Sequence, residues 1–222
     1  MLLLFDIDGT LLSSMRAGVQ ALTSAGRACI HEHFSLEGIE VGGRLDGQII
    51  AEAFKRLDVA IDKLAVLRQT YERHLAHLLQ SDHRVELLPG VSGLLDAIEA
   101  RIGWTLGLLT GNFSGSGQLK LRAAGIDPSR FAVQAWAEDG PSRNHLPHIA
   151  MQRCTNSVPG QTVIIGDTLH DISCARACGC RVIAVATGVC SRDTLACGQP
   201  DLLLDDLSDT GTVMAWLERM SA

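Results

Sequence analysis

Asp6 and Asp8 stand two residues apart at the end of an apolar run, Leu2-Leu3-Leu4-Phe5, and are followed by Gly9 and Thr10. Such a run is expected to form a strand buried on both faces. Residues two apart along a strand share a side, so the two carboxylates start out in a common direction. Carboxylates this close repel unless a shared proton or a cation relieves them, and a divalent cation is the simplest relief. The chemistry open to such a pair is nucleophilic attack by Asp6, with Asp8 as acid and base, around a metal. The rival reading is a solvated strand end that carries two acids. Gly9 lets the chain turn sharply and lets a ligand approach the backbone.

Two later apolar runs also end in polar residues. Trp104 to Leu109 leads into Thr110-Gly111-Asn112, and Thr162 to Ile165 leads into Gly166-Asp167-Thr168. Thr110 offers a hydroxyl. Gly111 and Asn112 offer backbone N–H groups just before a helix, a natural seat for an oxyanion or phosphate. A plain strand-to-helix turn is the alternative. Asp167 adds a third carboxylate. Asp171, four residues on, can face the same point and cap the next helix as well. Four carboxylates at one edge make a hard-oxygen site that suits Mg2+ better than zinc.

The elements that must position these groups fall into two parts. Residues 13–85 read as helical: Ser13 to about Ile30 with Ser13 or Ser14 as N-cap, Gln48 to Leu57, and Lys63 to Leu79 capped by Asp62. From about residue 88, strands and helices alternate at βαβ spacing, which implies a mainly parallel sheet covered on both faces. Leu2 to Phe5 belongs in that sheet. The expected architecture is α/β: a doubly wound core from residues 1–12 and 86–222, with an α-helical cap at 13–85 inserted after the first strand. Open α/β sheets bind ligands outside the C-terminal ends of their strands, where all three polar segments fall. In the cap, the glycines around Arg44 (Gly42, Gly43, Gly47) are expected to let it reach the core site and meet a substrate anion.

The bulk numbers narrow the function classes. A hydrophobic fraction of 46% over 222 residues supports a real core. The net charge of −6 disfavours nucleic acid as a partner. No stretch approaches the roughly 18 apolar residues of a membrane span. The N-terminal run has no basic leader, so a cytoplasmic location is expected. Seven cysteines is an odd count, which argues against a complete disulfide framework; the lack of a CxxC pair argues against a metal cluster among them, and Cys174 and Cys178 read as small apolar residues on a helix. The pairs His74/His77 and His145/His148 read as solvated faces, and Trp104 and Trp136 as core.

Asp6-Ile7-Asp8-Gly9-Thr10, Thr110-Gly111-Asn112 and Gly166-Asp167-Thr168-Leu169-His170-Asp171 resemble motifs one, two and four of the haloacid dehalogenase-like hydrolase superfamily. The helical insert resembles the cap of its phosphoglycolate phosphatase and β-phosphoglucomutase branch. The resemblance implies a Rossmann-like core, an aspartyl-phosphate on Asp6, and Asp8 as general acid and base. It implies Mg2+ on the Asp6 carboxylate, the Asp8 backbone carbonyl and Asp167, with Asp171 behind them. It implies phosphate contacts from Thr110, Gly111 and Asn112, and a small phosphorylated metabolite as substrate. Because Asp8 must gain and lose a proton, its pKa is expected near neutrality. The chain departs from the pattern at motif three, where no lysine stands. Arg143, in Gly140–Pro147, takes that role in this reading, with Arg153 the weaker candidate. A mutase-like phosphotransferase shares every core residue named, and a non-catalytic binding module on the same core is the remaining rival.

Overall fold

The computed structural model describes residues 1–81, 85–155 and 157–221. Residues 82–84 of the expected insert lie outside the described residues.

Strand β1 (Leu2–Phe5) is wholly buried and lies at the centre of a six-stranded sheet. Its alternating side chains feed two apolar layers. Leu2 and Leu4 enter one core cluster, and Leu3 and Phe5 enter the other. That is the period-two geometry of a strand covered on both faces. On one side β1 pairs in parallel with β4 (Thr105–Leu109), and β4 with β5 (Val133–Ala135). On the other side it pairs with β6 (Thr162–Gly166), followed by β7 (Arg181–Val185) and β8 (Leu202–Leu204). Every pairing in this sheet is parallel, and the order is β5-β4-β1-β6-β7-β8. The order reverses about β1, so a crevice opens at the C-terminal ends of β1, β4 and β6. Phe5 is level with Leu108 and Ile165. Asp6, Leu109 and Gly166 therefore follow at one height, and the acids and Thr110 leave the sheet together.

Between β1 and β4 the chain leaves the sheet and comes back. A short antiparallel pair, β2 (Leu12–Ser13) and β3 (Glu86–Leu87), marks the two crossings. Three helices lie between them: α1 (Ala17–Cys29), α2 (Asp46–Arg56) and α3 (Leu64–Ser81). Strand β2 corrects the expectation of a helix from Ser13. Ser13 pairs with Glu86, Ser14 turns its hydroxyl to Asp8, and neither caps α1. The chain enters α1 through Met15 and Arg16, both in the left-handed region at φ 45° and 66°.

The remaining helices are α4 (Val91–Glu99), α5 (Ser114–Ala123), α6 (Leu146–Arg153), α7 (Leu169–Ala177), α8 (Arg192–Cys197) and α9 (Thr210–Ser221). Helix α8, capped by the Ser191 hydroxyl, is the one that periodicity had not indicated. Trp136 is buried in the core and Trp104 packs against it. All seven cysteines are free thiols, and Cys174 is fully buried. No helix among the described residues is long and apolar enough to cross a membrane.

Candidate active site

Helix α7 begins with a capping box. Asp171 Oδ2 accepts from the Thr168 N–H at 3.0 Å and from the Thr168 hydroxyl at 2.7 Å. Its other oxygen, Oδ1, is bonded by Arg143 Nη2. The same guanidinium nitrogen lies 2.8 Å from Asp6 Oδ2. Nη1 reaches the carbonyl of Gly43 at 3.0 Å. Arg143 is 5% exposed and sits in a short 3-10 turn before α6. One planar fork thus joins the end of β1, the start of α7 and the loop before α2, a geometry that the single ammonium of lysine does not have. Arg153, the weaker candidate, is bound instead to Asp139 at 2.7 Å.

Asp6, Asp167 and Asp171 are buried, and their carboxylate oxygens lie within 4.8 Å of one another. Among the described residues this is the one such group that could hold a metal ion, and it contains no histidine or cysteine. Asp6 Oδ1 accepts from the Ile7 N–H at 2.7 Å. Asp167 is less well satisfied: its hydrogen bonds from the Thr10 hydroxyl and the Val189 N–H are both 3.3 Å long. The space around it is kept open by glycine. A Cβ on Gly188 would stand 1.6 Å from Asp167 Oδ2, and one on Gly9 2.5 Å from it. Burial pushes the Asp6 carboxyl up to about 6, against the pull of Arg143 and with the help of Asp171. Burial, followed by Asp171 and Asp6, drives Asp167 well above the ordinary carboxylate value. One guanidinium does not neutralise these acids. A hard divalent cation at Asp6 and Asp167 would do so, and the oxygen-only donor set fits Mg2+.

Asp8 lies outside that oxygen cluster. Its Oδ1 accepts from the Ser14 hydroxyl at 2.7 Å, and its Oδ2 from Asn112 Nδ2 at 2.9 Å and Lys120 Nζ at 2.6 Å. Burial alone would raise its pKa. The Lys120 ammonium and the hydrogen bonds from Lys120, Ser14 and Asn112 together outweigh burial and hold the carboxyl below its ordinary value. The expectation of a near-neutral Asp8 is corrected accordingly: it is ionised at pH 7.

Lys120 is the functional side chain that the sequence reading missed. It is 4% exposed on α5 and bonds Asn112 Oδ1 at 2.6 Å as well as Asp8. The α5 sequence has no amphipathic pattern to mark it: Ser116, Gly117, Lys120 and Leu121 emerge as its buried face only in the fold, where a lysine needs a partner.

The segment Thr110-Gly111-Asn112 opens α5 beside these acids. Thr110 is fully buried, and its hydroxyl accepts from the Asn112 N–H at 3.3 Å and from Asn112 Nδ2 at 2.9 Å. The Asn112 N–H thus leans on the Thr110 hydroxyl, and its side chain ties Thr110 to Asp8 and Lys120. The Phe113 N–H donates to Asp46 at 3.0 Å. Arg44 lines the cavity, but its guanidinium is held by Glu52 at 2.8 Å and the Glu40 carbonyl at 3.1 Å. It is the Arg44 backbone that meets the core: a Cβ on Gly111 would stand 2.1 Å from the Arg44 carbonyl oxygen. Glu52 is shared between Arg44 and Arg56, which lies 3.1 Å from its other oxygen. His170 lies 3.9 Å from Glu40, half exposed, outside the cavity wall.

These groups line one cavity of about 480 Å3, whose walls include Asp6, Asp8, Thr110, Arg143 and Asp167. Residues 3–185 match the family model described as haloacid dehalogenase-like hydrolase. The chain is 27% identical over 209 residues to the phosphoglycolate phosphatase of Synechococcus elongatus, covering 93% of each. It is 24% identical over 212 residues to the pyrophosphatase PpaX of Bacillus pumilus, covering 93% of this chain and 92% of the relative. The fold matches that of CbbY from Rhodobacter sphaeroides, solved in complex with phosphate, with a TM-score of 0.74 at 23% identity, covering 95% of this chain and 96% of the other. A carboxylate at the end of the central strand, two further acids on the neighbouring strand and helix, and a family match across most of the length agree. The chain belongs to the haloacid dehalogenase-like hydrolases.

Proposed function

We propose that this enzyme is a Mg2+-dependent phosphatase of a small phosphorylated metabolite, working through an aspartyl-phosphate on Asp6. The observation that carries the reading is Asp6 itself: a buried carboxylate held by Arg143 at 2.8 Å, beside an under-satisfied Asp167, on the wall of a ligand-sized cavity. Relatives named for phosphoglycolate and pyrophosphate support a phosphorylated substrate of modest size.

Asp6 attacks phosphorus, the new oxygen–phosphorus bond forming as the bond to the alcohol oxygen breaks. The leaving oxygen takes its proton from Asp8. Water, deprotonated by Asp8, then attacks the acyl phosphate, freeing Asp6 and inorganic phosphate. Asp8 rests ionised, and the anionic phosphate arriving beside it favours its protonation for the first step. Arg143 and Thr110 orient the nucleophile and the phosphoryl oxygens. Asp6, Asp167 and the Asp8 backbone carbonyl would hold Mg2+. When bound, the ion supplies the positive charge that lets an anionic phosphate approach an anionic nucleophile. Residues 13–85 act as the cap that excludes water and selects the alcohol, and residues 1–12 and 86–222 form the catalytic core. Seven free thiols suit a reducing, cytoplasmic setting.

The test is phosphate release from a panel of monophosphates with and without Mg2+. Release should depend on the metal, and Asp167→Asn should raise the Mg2+ concentration needed for half activity by at least about tenfold. Full activity in a chelator would contradict the reading.

A further inference from the structure

The cavity runs on from Asp6 past the reacting groups to residues 13–49. At about 480 Å3 it falls among pockets of ~300–1,000 Å3 that enclose drug-sized ligands. A phosphate on a two-carbon acid would fill only part of it. Several polar side chains of the far wall are already engaged. Ser14 and Lys120 bond Asp8, Asp46 accepts from the Phe113 N–H and Ser116, and Arg44 is held by Glu52. Beside them the wall carries five aliphatic side chains, Val19, Leu22, Leu36, Val41 and Ile49, together with Tyr71. At the mouth stand Met15 and Val189, 63% and 77% exposed, an outlay of apolar surface that a bound apolar group would cover. Arg16, exposed at the same mouth, is the cation that a second anionic group would have to meet.

We propose that the substrate is a phosphomonoester whose alcohol carries an extended apolar body, seated on Val19, Leu22, Leu36, Val41 and Ile49. A compact dianion of the phosphoglycolate or pyrophosphate type leaves that wall unused. This inference rests on the phosphatase reading above and names the substrate class of the same site.

The test is a series of n-alkyl monophosphates from ethyl to hexyl at saturating Mg2+, beside 2-phosphoglycolate and pyrophosphate. The value of kcat/KM should rise at least about a hundredfold from ethyl to hexyl, chiefly through KM, since each of the four added methylenes is worth roughly fourfold when buried. Val19→Thr and Val41→Thr, near-isosteric changes at half-buried positions, should shrink that preference several-fold, and Arg16→Gln should leave it unchanged. A flat series, or a preference for phosphoglycolate that Arg16→Gln removes, would overturn the proposal. Binding of methylphosphonate and hexylphosphonate, measured by calorimetry, separates the two levels of failure. Tighter hexylphosphonate binding without turnover of any ester supports the apolar site and overturns the phosphatase reading. Equal binding with turnover does the reverse.

Discussion

Arg143 is the residue on which the site's charge balance turns. Among the described residues it is the one cation joined directly to Asp6 and Asp171, each of which is nearly or fully buried. Removing one partner of a buried ion pair leaves an uncompensated charge and costs about 3–5 kcal/mol. Arg143→Ala should lose stability of that order in urea unfolding without Mg2+. Arg143→Lys, which keeps the charge, should lose less but should still lower turnover, because an ammonium in the place of Nη2 can meet Asp6 and Asp171 but has no second nitrogen for the Gly43 carbonyl. At this scale the sequence was informative about acids and poor about cations. Asp6, Asp167 and Asp171 declared themselves by following apolar runs. Arg143 was reached only because no lysine preceded α6. Lys120 was passed over, since a cation's partners come from other elements: Asp8 lies 112 positions away in the chain.

The contact between α2 and the start of α5 shows how an element carries a titratable group to a distant partner. The Asp46 N–H donates to the Gly111 carbonyl at 2.7 Å, and its carboxylate accepts from the Phe113 N–H and from Ser116. Burial raises the Asp46 carboxyl to about 6, against the pull of Lys120. An acid raised in the folded state binds its proton more tightly there than in the unfolded chain. The stability this contributes is complete below about pH 3.8 and is lost as pH rises through about 6. Thermal unfolding should therefore show a decline across that window that Asp46→Asn, which keeps a side-chain oxygen for Phe113, makes shallower. An equal slope in both proteins would count against it. The helices α2 and α3 were legible to within a few residues because each has an apolar stripe at helical spacing, and α5 because Gly125 stops it. The start of α1 was not. Ser13 and Ser14 have the chemistry of N-caps, but strand pairing with Glu86 and the Asp8 carboxylate claim them first.

At the scale of the molecule, the seating of residues 42–48 on the ends of β4 and β6 closes the site. Gln48 bonds the Pro141 carbonyl at 3.1 Å, Arg143 bonds Gly43, and Gly111 packs under the Arg44 carbonyl with no room for a side chain. Gly111→Ala places a methyl against backbone, which cannot rotate away. It should cost about 1–3 kcal/mol and raise KM more than it lowers kcat, by steady-state kinetics beside a melting curve. The parallel sheet and its reactive edge were readable in sequence, since β1 is an unbroken apolar run and βαβ spacing follows residue 88. Which side chains of residues 13–85 face the cavity was not, because that depends on how α1, α2 and the loop between them pack. The proposed chemistry requires a covalent bond to one side chain. Acid quenching during turnover, borohydride reduction of any acyl phosphate and mass mapping of the peptides read it directly. The prediction is a reduced residue at Asp6, absent without Mg2+ and absent in Asp6→Asn, which should also lose phosphate release by about three orders of magnitude or more. Steady phosphate release with Asp6 unmodified, or retained in Asp6→Asn, would contradict it.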